Sequence, residues 1–110
     1  MIDFQLLKSE EGLNRVLTSL EEADSECCAE TRRGLLNFIV TGGGFAGVET
    51  VGAIHDYVRE SLRFYPNLGT KDVRMVLVHS GKTLLPELDQ RLGHYAERVL
   101  RARGVEVQLE

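Results

Sequence analysis

The chain has 110 residues, enough for one domain with a modest core and too few for two. Thirteen Lys and Arg against 17 Asp and Glu leave a net charge of −4, which argues against the basic face of a nucleic-acid binder. Hydrophobic residues at 43% and charged residues at 27% are ordinary for a globular chain, and no apolar run approaches the roughly 20 residues of a membrane helix.

The first thirty residues read as helical. Ser9 is placed as a cap with Glu10 and Glu11 behind it, and Leu13, Val16, Leu17 and Leu20 form one apolar face. Glu21 to Arg33 is charge-rich and reads as the solvated end of that helix followed by a linker. The adjacent Cys27 and Cys28 suit neither a disulfide framework nor a CxxC site, and are expected as reduced thiols of a cytoplasmic protein. No signal-peptide pattern opens the sequence. Asn37 to Thr41 is a short β-branched run, the mark of a buried strand. After a glycine-rich turn, Val48, Val51, Ile54, Val58, Leu62 and Tyr65 keep helical spacing until Pro66, Asn67 and Gly69. Val73 to Val78 predicts a second buried strand. Asp89 then caps a helix with Leu92, Tyr95, Ala96 and Val99 as its apolar face, and Gly104 stops it. Val105 to Leu109 alternates as a third strand.

The order β-α-β-α-β with short connections predicts an α/β fold: a Rossmann-type, three-layer half with a parallel sheet, preceded by an N-terminal helix. The division expected is residues 1–36 as helix and linker and 37–110 as the nucleotide-binding unit.

The turn itself carries the chemistry. Gly42-Gly43-Gly44-Phe45-Ala46-Gly47 fits G-x-G-x-x-G between a strand and a helix start, where the pattern gains its meaning. Gly42 serves the tight turn, Gly44 the approach of backbone to a pyrophosphate, and Gly47 the close packing of helix on strand. Free amides and the positive helix end bind the anion without a charged side chain. The usual partner of this motif is an acidic residue closing the second strand, which holds the ribose hydroxyls. Here that strand ends at His79 and Ser80, farther from Gly47 than the usual spacing of about 20 residues. Ser80 is a candidate for a ribose hydroxyl, while His79 or Lys82 could face a 2′-phosphate, so NADH and NADPH both stay open. Glu49, two positions past the third glycine, is expected in the first helical turn, where the dipole stabilises a carboxylate.

Other chemistries find little. His55, His79 and His94 fall on different elements without metal-ligand spacing, so no metal is expected. His55 with Asp56 reads as exposed helix surface rather than a catalytic pair, and no nucleophile elbow is present. An S-adenosylmethionine site, which also uses a glycine turn, lacks its acidic residues in Asn37 to Thr41 and Val73 to Ser80.

With Asn37 to Thr50 (NFIVTGGGFAGVET), then VRMVLVHSGKTLLPELDQRL and RARGVEV, the chain resembles the FAD-dependent pyridine nucleotide-disulfide oxidoreductases, above all the type II NADH dehydrogenases. The resemblance implies the inserted NAD(P)H-binding domain of such a flavoprotein, or of a relative such as a sulfide:quinone reductase. By this resemblance the whole enzyme would be a peripheral membrane protein that passes hydride from NADH to FAD and electrons to a quinone. It places Glu49 near the nicotinamide–flavin contact, and it sets glutamate in many relatives where His79 stands. It also implies that the FAD-binding part, the strands completing the sheet and the membrane-binding portion lie outside this sequence. The expectation is therefore a dinucleotide binder without turnover of its own, touching neither membrane nor nucleic acid. If the later strands are absent, the first strand exposes an edge that favours a homo-oligomer, and the chain could act only as an interaction unit.

Overall fold

The computed structural model describes residues 10–110, with side chains described from residue 13 onward. The cap expected at Ser9 lies outside the described residues. Helix α1 (Glu10–Ser25) is followed by a short helix α2 (Ala29–Leu35) and strand β1 (Asn37–Thr41). The charge-rich stretch expected as a linker is thus mostly helical: α1 runs on to Ser25, and Ala29–Leu35 adds two turns with Glu30 at its start and Arg32 and Arg33 at its end. Those charges suit the helix dipole, and none of the residues of α2 is buried.

Helix α3 (Phe45–Ser61) runs into a 3-10 turn at Leu62–Phe64, and a second 3-10 turn (Thr70–Asp72) precedes β2 (Arg74–His79). Helix α4 (Gln90–Ala102) and β3 (Val105–Leu109) complete the chain. The sheet has the order β1-β2-β3 with both pairings parallel. Its register aligns Phe38 with Met75 and Val105, and Val40 with Leu77 and Val107. Because side chains alternate along a strand, these six share one face, and all are buried. Against them pack Val16, Leu20 and Ala23 of α1 and Val51, Ile54 and Val58 of α3, so the leading helix belongs to the same core as the sheet. Full burial of a residue such as Leu20 contributes about 1.5–3 kcal/mol. Asp24 fastens α1 to the turn after α3 by accepting from the Asn67 amide at 3.0 Å.

On the opposite face Arg74 and Glu106 form a charged pair across the strands. Hydrogen bonding from Arg74 holds the Glu106 carboxyl below its ordinary range, yet both groups face solvent and add little to stability.

Helix α4 departs from expectation. Asp89 does cap it, its carboxylate accepting from the Arg91 amide at 2.9 Å, which also lowers its own titration range. The buried side, however, runs through Gly93 and Leu100 with Ala96 half-buried between them, while Leu92 and Tyr95 are 50% and 58% exposed. The reason is steric. Gly93 lies so close to the loop before the helix that a Cβ there would stand 2.2 Å from the Leu84 carbonyl oxygen. The contact needs a bare backbone, so the helix turns its glycine inward and rotates Leu92 and Tyr95 out. No helix among the described residues is long and apolar enough to cross a membrane.

Candidate functional site: the glycine turn and the loop against it

Strand β1 ends at Thr41, and three glycines carry the chain into α3. Gly42 has φ +98°, a left-handed conformation costly to any residue with a Cβ, and its amide donates to the Val78 carbonyl at 2.8 Å. Gly44 takes the cap position of α3 in an extended conformation. Gly47 closes the arrangement: a Cβ on it would lie 1.7 Å from the Gly42 carbonyl oxygen. Gly42 and Gly47 thus do the backbone work expected of the motif, and Val48 returns its amide to the Gly44 carbonyl at 3.0 Å.

The loop after β2 lies directly on this turn. Gly43 donates its amide to Nδ1 of His79 at 2.9 Å and accepts at its carbonyl from the Leu85 amide at 2.8 Å. A Cβ at Gly43 would strike the His79 ring and the Leu84 side chain. The Phe45 amide, at the N-terminus of α3, donates to the Glu87 carboxylate at 2.7 Å. Both carboxylate oxygens also stand over Gly44, 3.8 Å from where its Cβ would be.

The candidate residues sort accordingly. Gly42, Gly43 and Gly44 form the turn, and Phe45, Ala46 and Gly47 are the first residues of α3, with Phe45 62% exposed. His79 is turned into that turn as a hydrogen-bond acceptor, so Nδ1 is engaged with backbone. Ser80 and Lys82 are exposed on the rim. Glu49 is exposed on α3, but the helix begins at Phe45, so no acidic residue falls in its first turn. The capping role expected for Glu49 is therefore corrected, because the dipole effect fades beyond that turn. His55 is corrected too: its side chain is only 13% exposed, with Nδ1 3.7 Å from the Asp56 carboxylate, too far for a hydrogen bond. Among the described residues no cluster of His, Cys, Asp or Glu could hold a metal, and Cys27 and Cys28 are free and exposed.

Glu87 is the residue that sequence reading missed. It belongs to the Leu84-Leu85-Pro86-Glu87-Leu88 string, which enters the sequence reading only as part of the family resemblance; the third dimension lays it on Phe45.

A cavity of about 390 Å³ lies elsewhere, between the C-terminal half of α3, the start of β2 and the end of α4. Its walls include His55, Arg59, Lys71 and Arg103 over Val58, Leu62 and Met75, and it shares no residue with the glycine turn.

A strand–glycine turn–helix unit within a parallel sheet, its helix N-terminus holding an oxyanion, defines the dinucleotide-binding class of α/β folds. The profile of the family described as pyridine nucleotide-disulphide oxidoreductase matches residues 4–110, and the chain belongs to that family. It is 40% identical over 80 residues to the external alternative NAD(P)H-ubiquinone oxidoreductase B1 of Solanum tuberosum mitochondria, an overlap of 71% of this chain and 14% of that protein. To the type II NADH:quinone oxidoreductase Ndh of Mycobacterium tuberculosis it is 32% identical over 96 residues, 86% of this chain and 21% of that protein. The fold matches NDH2 of Plasmodium falciparum, solved in complex with NADH, with a TM-score of 0.80 at 22% identity over 86% of this chain and 20% of that one. The chain thus spans roughly a seventh to a fifth of the length of these relatives.

Proposed function

We propose that the chain is the NAD(P)H-binding module of a flavin-dependent NADH:quinone oxidoreductase, with residues 37–110 as the nucleotide-binding unit and 1–36 leading into it. The observation that carries the reading is the glycine turn: Gly42 at φ +98° with Gly47 packed against its carbonyl at the N-terminus of α3. The fit to a dinucleotide rests on this bare backbone, since side chains at Gly44 and Gly47 would fill the approach and separate helix from turn. The Phe45 amide already holds an oxyanion in the form of the Glu87 carboxylate, the preference a pyrophosphate needs. The relatives bear names of NADH- and NAD(P)H-dependent quinone reductases, which supports the same assignment.

In this reading the amides of Gly44 to Gly47 receive the pyrophosphate, and exposed Ser80 and Lys82 border the adenosine ribose. Glu49, exposed on α3, takes the place near the nicotinamide–flavin contact that the family resemblance implies. A flavin held by a further part of such an enzyme would supply hydride acceptance and electron transfer to a quinone. This chain's own part is binding and orientation, so it turns over no NADH by itself. Titration with NADH, NADPH and AMP, followed by amide resonances, is expected to move Gly42 to Glu49 first. If all three leave those amides unmoved, the reading fails.

The position of β1 supports a second role. It pairs with β2 on one side alone among the described residues, and a strand edge of this kind can template pairing with another strand. We infer pairing with a second copy through that edge. Light scattering at high concentration is expected to give the mass of a dimer or larger, and a strictly monomeric mass contradicts it.

A further inference from the structure

The glycine turn is already engaged by the chain itself. Gly43 N–H, Gly43 C=O and Phe45 N–H are the groups that the turn presents to the loop. They are taken by His79, Leu85 and Glu87 in that order. The last of these is an anion on the first amide of a 17-residue helix, where charge and dipole reinforce each other. Among the described residues no ion pair includes Glu87, and its carboxylate is held by the amide at the helix end.

We propose that Glu87 is a built-in competitor for the phosphate seat: its carboxylate mimics the ligand's phosphate, and a dinucleotide binds only by displacing it. The inference rests on the dinucleotide reading of the turn and adds the regulation of that site. A phosphate and the carboxylate cannot share the Phe45 amide, because one N–H serves one acceptor at 2.7 Å and a second anion there would stand within about 4 Å of the first. The carboxylate stands directly above Gly44, the residue whose lack of a side chain opens the approach. Displacement has a hinge. Leu85, two residues before Glu87, sits at φ +53°, a strained conformation for a leucine, and its amide is tied to the Gly43 carbonyl. When the carboxylate leaves, the exposed segment Pro86–Leu88 swings from the turn about Leu85, while buried Leu84 and Leu85 stay anchored in the core. The closed loop thus lowers affinity by the fraction of molecules in which the seat is already filled.

The test uses the 110-residue chain, with Glu87→Ala, which removes the competitor, and Glu87→Gln, which keeps an acceptor without charge. In the free protein the Phe45 amide proton is expected to move upfield in Glu87→Ala, since it loses a charged acceptor; an unmoved resonance overturns the contact and the proposal. Inorganic pyrophosphate is expected to bind Glu87→Ala about tenfold more tightly than the native chain, with Glu87→Gln between, because the free seat no longer competes. NADH is expected to follow the same order, and adenosine, which lacks phosphate, to be indifferent. Equal pyrophosphate and NADH affinities in all three proteins overturn the proposal and leave the dinucleotide reading intact. Stronger pyrophosphate binding in Glu87→Ala, with no NADH-induced shift in any protein, supports the competitor and defeats the dinucleotide reading.

Discussion

Gly47→Ala is expected to destabilise the domain by about 3 kcal/mol or more, at the upper end of what overpacking costs. The added methyl would stand 1.7 Å from the Gly42 carbonyl oxygen and 2.8 Å from its carbon. Both atoms are backbone, so no side-chain rotation relieves the overlap. Either α3 withdraws from the end of β1, or Gly42 gives up its left-handed conformation and the amide bond to Val78. Each outcome disturbs the layer in which Val51, Ile54 and Val58 meet the sheet. For a domain of this size such a loss lowers the melting temperature by roughly 10–20 °C, read by circular dichroism. Gly52→Ala is the internal control. It lies in the same helix with nothing within 4 Å of its would-be Cβ, and alanine there should add about 1 kcal/mol through helix propensity. A Gly47→Ala melt within a degree or two of the native one would mean that α3 is not seated on the turn.

The contrast among glycines shows what could be read from the chain and what could not. Strands β1 and β3 were legible with their bounds, because β-branched runs and strict alternation are local signals. So were Gly42 and Gly47, since a dinucleotide motif states a backbone requirement in sequence form. Helix α2 was hidden because its seven residues bury nothing and so leave no apolar period to count. The buried face of α4 was misjudged for the opposite reason. Leu92 and Tyr95 keep helical spacing, but a close backbone contact at Gly93 decided the rotation, and glycine adds nothing to an apolar pattern. Within the site, the turn was legible and the loop on it was not. His79 reads in sequence as a candidate to face a 2′-phosphate, and the bond its Nδ1 accepts from the Gly43 amide, a partner 36 positions away, is not foreseen there. Glu87 and Phe45 are separated by 42 positions, a distance over which no local propensity speaks.

Gly93→Ala carries this lesson into a measurable effect. Considered as a residue in a helix, Gly93 would be improved by alanine, by about 1 kcal/mol. Its surroundings reverse the sign. The methyl would lie 2.2 Å from the Leu84 carbonyl oxygen, with the Leu84 carbonyl carbon at 3.3 Å, and again the obstacle is backbone. Leu84 cannot retreat easily, because its side chain is fully buried and the next residue donates its amide to Gly43. The clash therefore outweighs propensity, and a net loss of about 2 kcal/mol is expected in urea unfolding. The strain should also travel. If α4 holds its place, the Leu84–Leu88 segment is pushed toward the glycine turn, and the amide resonances of Gly43 and Phe45 shift along with those of the loop. Gly104→Ala, at the far end of the same helix, makes a useful comparison: it carries φ +95° but has nothing within 4 Å of its would-be Cβ. That variant should lose about 1–2 kcal/mol through backbone conformation alone and leave the glycine turn unperturbed. Stability gained in Gly93→Ala, or resonances at Gly43 and Phe45 that stay where they were, would show that helix and loop are not joined at this contact.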